Sequence, residues 1–345
     1  MKTPKKALFI QLRRIGDILM CTPSIRAFKQ AFPDCQLDFL TEMPDVLQGN
    51  PHINSIIAVN NAKRSSIIYQ YKLIKKIRNA GYNLVVDFFA NPRSAYYSFL
   101  SGASTRLSYG FGHRRWAYNL IPPRPNVPLY SALDKLRMLE AIGIKSDDPR
   151  LEFYPSPDDR LKIQTIIPNT INKPTISISP VSRREYRRWP IENYARLCDI
   201  LAFHFNAQIA ILAGPCEEAF ADQLANQVDA KPLVPNIKSL GMLGAFCERV
   251  SLHIGNDNGP KHIAVACGAP TFAIFGPESP VSWTYPDYSR HRWIQAREFC
   301  DDCNQIKNKC NVDCIKSISV DAVWEKIKDM MGSLPSFESV TRKSR

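Results

Sequence analysis

Short apolar runs, each closed by a polar turn and followed by a stretch of helical periodicity, recur along almost the whole chain. Ala7–Leu12, Gln36–Leu40, Ser55–Val59 and Asn83–Phe89 have the length of buried strands. Helical patterns cover Asp17–Phe32, Ser66–Ala80, Pro92–Ser101 and Ser131–Ile142. This alternation specifies an α/β fold with an open, mostly parallel sheet and helices on both faces. The pattern lapses around Pro155–Pro174, where "IIPNTINKP" reads as a linker, and then restarts. Thr175–Ser179, Gln208–Leu212, Val250–Ile254 and Thr271–Phe275 read as strands, and Pro190–Phe205, Glu217–Gln227, Ser239–Cys247 and Gly259–Cys267 as helices. At 345 residues the chain is too long for one ordinary core. The repeat predicts two Rossmann-like domains, 1–165 and 172–332, and a polar tail, 333–345. A last helix near Val320–Met331 is expected to pack back on the first domain. Parallel sheets bind ligands beyond the C-terminal ends of their strands, so the two domains are expected to face a central cleft.

Hydrophobic residues make up 45% of the chain and charged residues 22%, as in a soluble globular protein. The net charge of +13 points to an anionic partner: nucleic acid, a phosphorylated glycan or a membrane surface. The apolar run Ala7–Ile10 is shorter than a secretory core of about 7–15 residues, and Arg13 and Arg14 end it. No stretch approaches the roughly 20 apolar residues of a membrane span. A cytoplasmic location with reduced cysteines is therefore expected.

Three polar turns stand where a strand passes into a helix. In "GNDNGPKHIAVACGAPTFAIFG" the segment Asn256–His262 has turn-formers and no bulky residue. Free N–H groups and the helix dipole there favour a phosphate, Gly259 permits close approach, and Pro260 suits a first helical turn. The plainer alternative is that Asp257 or Asn258 caps the helix. In "RRIGDILMCTP", Asp17 follows Gly16, either as a dipole partner or as a general base. In "SPVSRREYRRWPIENYARL", Ser182, Arg183, Arg184, Arg187 and Arg188 precede a helix whose dipole disfavours cations, which suggests a bound anion. Glu217 and Glu218 follow a further strand-end turn, placed for ribose hydroxyls or for capping. There is no G-x-G-x-x-G and no Asp-x-Asp pair, so if a diphosphate leaves here, arginines and helix dipoles must neutralise it without a dedicated metal.

Together, "RRIGDILMCTPSIRAFKQAFPDCQLDFLT", "ISPVSRREYRRWPIENYARLCDIL", "ILAGPCEE" and "GNDNGPKHIAVACGAPTFAIFGPESP" resemble the ADP-heptose:lipopolysaccharide heptosyltransferases, glycosyltransferase family 9, of GT-B fold. The resemblance runs from Ala7 to about Lys328. It implies inverting, metal-independent transfer of heptose from ADP-heptose to a lipid A–core acceptor. The N-terminal domain would bind acceptor and the C-terminal domain donor. Carried over, Asp17 would be the general base, and Ser182 and Arg187 would hold the diphosphate. Glu218, or else Glu217, would meet the ribose, and Asp257, Asn258, Gly259 and His262 would line the sugar–diphosphate site. The family often has lysine at the position of Arg187. Asn258-Gly259-Pro260 departs from its usual Thr-Gly-Leu or Ser-Gly-Pro, which leaves other nucleotide sugars as alternatives.

Arg64, Lys72, Lys75, Lys76, Arg78, Arg114 and Arg115 are expected to hold the phosphorylated acceptor and the anionic inner face of the inner membrane. A solvated helix face is the competing reading. Aromatic residues do not interleave with these cations, apart from Tyr186 and Trp189 near the arginine cluster, which argues against a nucleic-acid binder. Cys300-x2-Cys303-x6-Cys310-x3-Cys314 has the pairing of a four-thiolate structural zinc site, with reduced structural thiols and, behind them, disulfides as the alternatives.

Overall fold

The computed structural model describes residues 3–167, 173–296, 314–332 and 334. The chain divides into two compact units, Met1–Tyr154 and Pro155–Arg345.

The first unit runs β1 (Lys6–Ile10), α1 (Ile15–Leu19), α2 (Thr22–Ala31), β2 (Gln36–Thr41), β3 (Ser55–Ala58), α3 (Ile67–Asn79), β4 (Leu84–Asp87), α4 (Pro92–Leu100), β5 (Thr105–Leu107) and α5 (Ser131–Leu139). Its sheet has the order β3-β2-β1-β4-β5, and every pairing is parallel. Ala7 to Ile10 are fully buried, as a central strand covered on both faces must be. The helix expected over Asp17–Phe32 is two helices. Pro23 has no N–H to offer, and the Thr22 hydroxyl takes the Leu19 carbonyl instead, at 2.7 Å. β1 and β4 are neighbours whose outgoing chains leave in opposite directions along the sheet, so the loops after them flank a crevice.

The second unit runs α6 (Pro157–Ile166), β6 (Thr175–Ser179), α7 (Ile191–Phe205), β7 (Gln208–Ile211), α8 (Glu218–Ala225), α9 (Leu240–Cys247), β8 (Leu252–Asn256), α10 (Gly259–Ala266), β9 (Thr271–Phe275), α11 (Pro280–Trp283), β10 (His291–Gln295) and α12 (Val320–Met331). Its sheet, β10-β9-β8-β6-β7, is also parallel throughout, with the switch in direction between β6 and β8. Two expectations change here. The stretch read as a linker from Pro155 holds α6, started by a Ser156–Asp159 capping box and packed on α9, so it belongs with the second unit. The face of α12 formed by Val323, Ile327 and Met330 is buried in the second unit's own core, against α7 and β10. Strand β10 has no apolar run because it is an edge strand with only one fully covered side.

Candidate active site

The C-terminal ends of β6 and β8 carry the two loops that sequence reasoning singled out. From β8, Asp257 turns under α10, and four residues on Lys261 folds back so that its Nζ donates to Asp257 Oδ1 at 2.5 Å. Lys261 is only 2% exposed. Its ammonium also donates to the Trp283 carbonyl at 3.1 Å and lies 4.7 Å from the centre of the Phe275 ring. His262 Nε2 stands 3.5 Å from the same Asp257 oxygen. From the β6 side, Arg187 Nη1 is 3.9 Å from Asp257 Oδ2, and its Nη2 is 2.5 Å from Glu278 Oε1. Burial by itself would raise the Asp257 carboxyl, but Lys261 and His262 hold it well below the usual carboxylate range. Glu278 moves the other way: burial raises it and Arg187 only partly opposes the rise.

The site is therefore charge-balanced. Arg187 and Lys261 face Asp257 and Glu278, whereas the sequence suggested four converging arginines. Of those, Arg188 donates to the Ser182 carbonyl at 2.6 Å, and Arg183 and Arg184 are exposed. Ser182 is buried beside this loop. Trp189 is buried and donates to the Ile318 carbonyl, so it is not a surface on which bases could stack. Lys261, which the sequence offered only as added charge, and Glu278, which it did not single out, complete this cluster. The i to i+4 spacing of Asp257 and Lys261 was the available signal for the first.

Asn258 acts as a bracket, not as a ligand-facing group. Its Oδ1 accepts from Lys261 N at 3.1 Å, capping α10, while its Nδ2 donates to Val181 O at 2.9 Å and Ser179 Oγ at 3.0 Å. The site loops after β6 and β8 are thereby tied together. Beneath them, the ring of His253 lies between Ser177 Oγ (2.8 Å) and Ser179 Oγ (3.1 Å). Burial pushes its imidazole down to about 3, with Lys261 and His262 adding like charge. Gly255 allows this layer to close, since a Cβ there would stand 2.3 Å from Ser179 Oγ.

In the first unit, Asp17 is half-buried in the first turn of α1, just past the end of β1. The residue that caps that helix, Arg14, holds φ at +69°, a conformation L-residues seldom adopt and one that clusters at functional sites. Across the β1–β4 crevice, buried Asp87 accepts from Phe89 N (3.0 Å), Ala90 N (2.9 Å) and Tyr118 Oη (2.7 Å), fixing the loop after β4. Arg114 is anchored there through Nε to the Ala90 carbonyl at 2.6 Å. Glu42 holds Arg13 at 3.1 Å and also pairs with Arg93.

The basic residues divide into two groups. Arg64, Lys72, Lys75, Lys76 and Arg78 lie exposed on or before α3, whereas half-buried Arg114 and exposed Arg115 sit on the turn after β5. At the end of β7, Glu217 is occupied, its Oε2 accepting from Gly214 N at 2.9 Å, and Glu218 is exposed in the first turn of α8. Cys300, Cys303 and Cys310 lie outside the described residues, as does nearly all of 333–345, and Cys314 is buried. Among the described residues no cluster of metal-ligating side chains is present, and no helix is long and apolar enough to cross a membrane.

The family model for glycosyltransferase family 9 (heptosyltransferase) matches residues 70–312, well over half of the chain. The chain belongs to this family. This glycosyltransferase is 26% identical over 285 residues to lipopolysaccharide heptosyltransferase 3 of Escherichia coli (strain K12), covering 79% of this chain and 83% of that one. Among solved structures, the family 9 glycosyltransferase of Veillonella parvula superposes with a TM-score of 0.81 at 20% identity, over 96% of this chain and 98% of that one. The Escherichia coli ADP-heptose lps heptosyltransferase II does so with 0.73 at 17% identity, over 99% and 100%. The fold of the glycosyltransferase is thus GT-B, built from two Rossmann-like units.

The buried His253 makes the stability of the glycosyltransferase depend on pH. Its imidazole is neutral in the folded state down to about pH 3, whereas an unfolded histidine takes up a proton near 6.5. The unfolded chain binds more protons in that interval, so stability is fully present above 6.5 and falls as the pH drops toward 3. The slope from this one group is at most about 1.4 kcal/mol per pH unit. Urea unfolding between pH 7.5 and 5 is expected to show a shallower fall in His253→Gln than in the wild-type protein. Equal slopes would contradict this account.

Proposed function

We propose that the enzyme moves a heptose from ADP-heptose to the inner core of lipopolysaccharide, with inversion at the anomeric carbon and without a catalytic metal. The observation that carries this reading is the group Arg187, Asp257, Lys261 and His262, gathered where the β6–β8 switch point meets the start of α10. Such a place accepts a phosphate through helix N–H groups and a guanidinium. The names of the E. coli relatives supply the sugar and acceptor class.

On this reading Arg187, Ser182 and the Gly259 turn hold the donor diphosphate, and Glu218 meets the ribose. Asp257 keeps Lys261 and His262 in place behind the sugar–phosphate bond. As that bond breaks, negative charge grows on the departing β-phosphate, and the fixed N–H groups and Arg187 stabilise it. Removing one donor of this kind from an active site typically costs about 2.7–4 kcal/mol. Asp17, in the first unit, takes the proton from the acceptor hydroxyl as its oxygen bonds to the anomeric carbon. ADP leaves from the opposite side. Transfer to a different acceptor, or from another sugar nucleotide, would use the same residues.

Asp17→Asn is expected to lower kcat by about 10²–10⁴-fold, the usual contribution of a general base, while ADP-heptose still binds with wild-type affinity. Turnover of heptose-deficient lipopolysaccharide, assayed with and without EDTA, checks both points. A fully active Asp17→Asn enzyme would remove the base, and activity abolished by EDTA and restored by a divalent cation would remove metal independence.

The acceptor is a lipid, and exposed Ile67, Ile68 and Tyr71 adjoin Lys72, Lys75 and Lys76 on α3, a mixture suited to an anionic membrane surface. Peripheral attachment to the cytoplasmic face of the inner membrane follows from this reading. Changing Lys72, Lys75 and Lys76 together to glutamate is expected to abolish co-flotation with anionic vesicles. Undiminished flotation would exclude this face.

A further inference from the structure

Glu278 is an acid beside a phosphate site, where electrostatics alone would not put one. It lies in the turn after β9 and is 7% exposed. Its carbonyl accepts from the side chain of Gln295 at 2.9 Å, so the edge strand holds it in place. One carboxylate oxygen, Oε1, takes Arg187 Nη2 at 2.5 Å. The other, Oε2, is buried and has no hydrogen-bond partner among the described residues, and the same is true of Arg187 Nε. A buried polar atom without a partner is costly, so two on one ion pair need a reason.

The two atoms make complementary demands. Arg187 Nε has a proton to give, which an anionic phosphate oxygen accepts. Glu278 Oε2 needs a donor, and a phosphate cannot supply one. A bare diphosphate brought to this pair places its charge against the carboxylate, which is unfavourable. A sugar joined to that phosphate reverses the balance, because its hydroxyls are donors within a few bonds of the phosphate oxygens.

We propose that Glu278 recognises a hydroxyl of the transferred sugar and so sets the preference of the site for a sugar nucleotide over the free nucleoside diphosphate. The inference rests on the donor reading above. It carries a corollary for turnover. Once the sugar has moved to the acceptor, the remaining diphosphate bears an extra charge and no longer offers a hydroxyl to Glu278. Repulsion from the carboxylate then favours product release.

Calorimetric titration of ADP and of ADP-heptose into the wild-type protein, Glu278→Gln and Glu278→Ala tests this. Wild type is expected to bind ADP-heptose more tightly than ADP. In Glu278→Ala the affinity for ADP should hold or rise, while that for ADP-heptose falls, so their ratio drops about ten- to hundredfold, the worth of one charged hydrogen bond. Glu278→Gln, which keeps the shape and an acceptor oxygen, should fall between, and serves as the reading if the alanine variant does not fold. Affinities for both ligands changing by one common factor would mean that Glu278 only clamps Arg187, and would overturn the proposal. Equal wild-type affinities would overturn it as well. A wild-type protein that binds neither ligand would instead overturn the donor reading beneath it.

Discussion

An ammonium group cannot be sealed into the loops of a parallel sheet without an anion beside it, and Lys261 is sealed in on every side. Asp257 is that anion, and the arrangement of the second unit's site follows from the pair. Because the two residues stand one helical turn apart, the ion pair forms only if α10 starts at Gly259, and Asn258 ensures that it does. The same Asn258 reaches across to Val181 and Ser179, so the loop that carries Arg187 is held near Asp257. Breaking a buried pair by removing one partner typically costs 3–5 kcal/mol, as a rough guide. The pair therefore works as scaffold and site together.

Much of this was legible in the sequence, and the reason is physical. A parallel strand covered on both faces is largely apolar, so β1, β4 and β9 announce themselves, while β6 and β8 keep their apolar positions around the buried Ser177, Ser179 and His253. An edge strand carries no such requirement, and "HRWIQ" in β10 reads as loop. The helix break between Leu19 and Thr22 depends on a hydroxyl standing in for an N–H, a detail of geometry that periodicity does not encode. The turn after β8 could be located because turn-formers before a helix have few other uses. Which of its side chains face a ligand could not be known. Asn258, chemically suited to a ligand, is consumed by the backbone, and Lys261, which looks like a surface charge, is buried.

The arginine cluster shows the same limit more sharply. Five basic or polar side chains before α7 read as a convergent anion trap, yet backbone geometry delivers only Arg187 to Asp257 and Glu278. Charge in a sequence is a sum, whereas a site depends on direction. The result is a balanced cluster in place of a strongly positive one. In the first unit, Asp17 follows Arg14, whose φ is positive, at the mouth of the β1–β4 crevice; the Gly16 turn pointed to such a strand-end place, but the Arg14 backbone left no mark in the sequence.

The central claim is that a nucleoside diphosphate binds where Arg187 meets the start of α10. The direct measurement is a crystal structure of the protein with ADP. The account requires the β-phosphate within hydrogen-bonding distance of the Arg187 guanidinium and of the backbone N–H groups at Gly259 and its neighbours. Density for the diphosphate elsewhere, with Arg187 still paired only to Glu278, would contradict it.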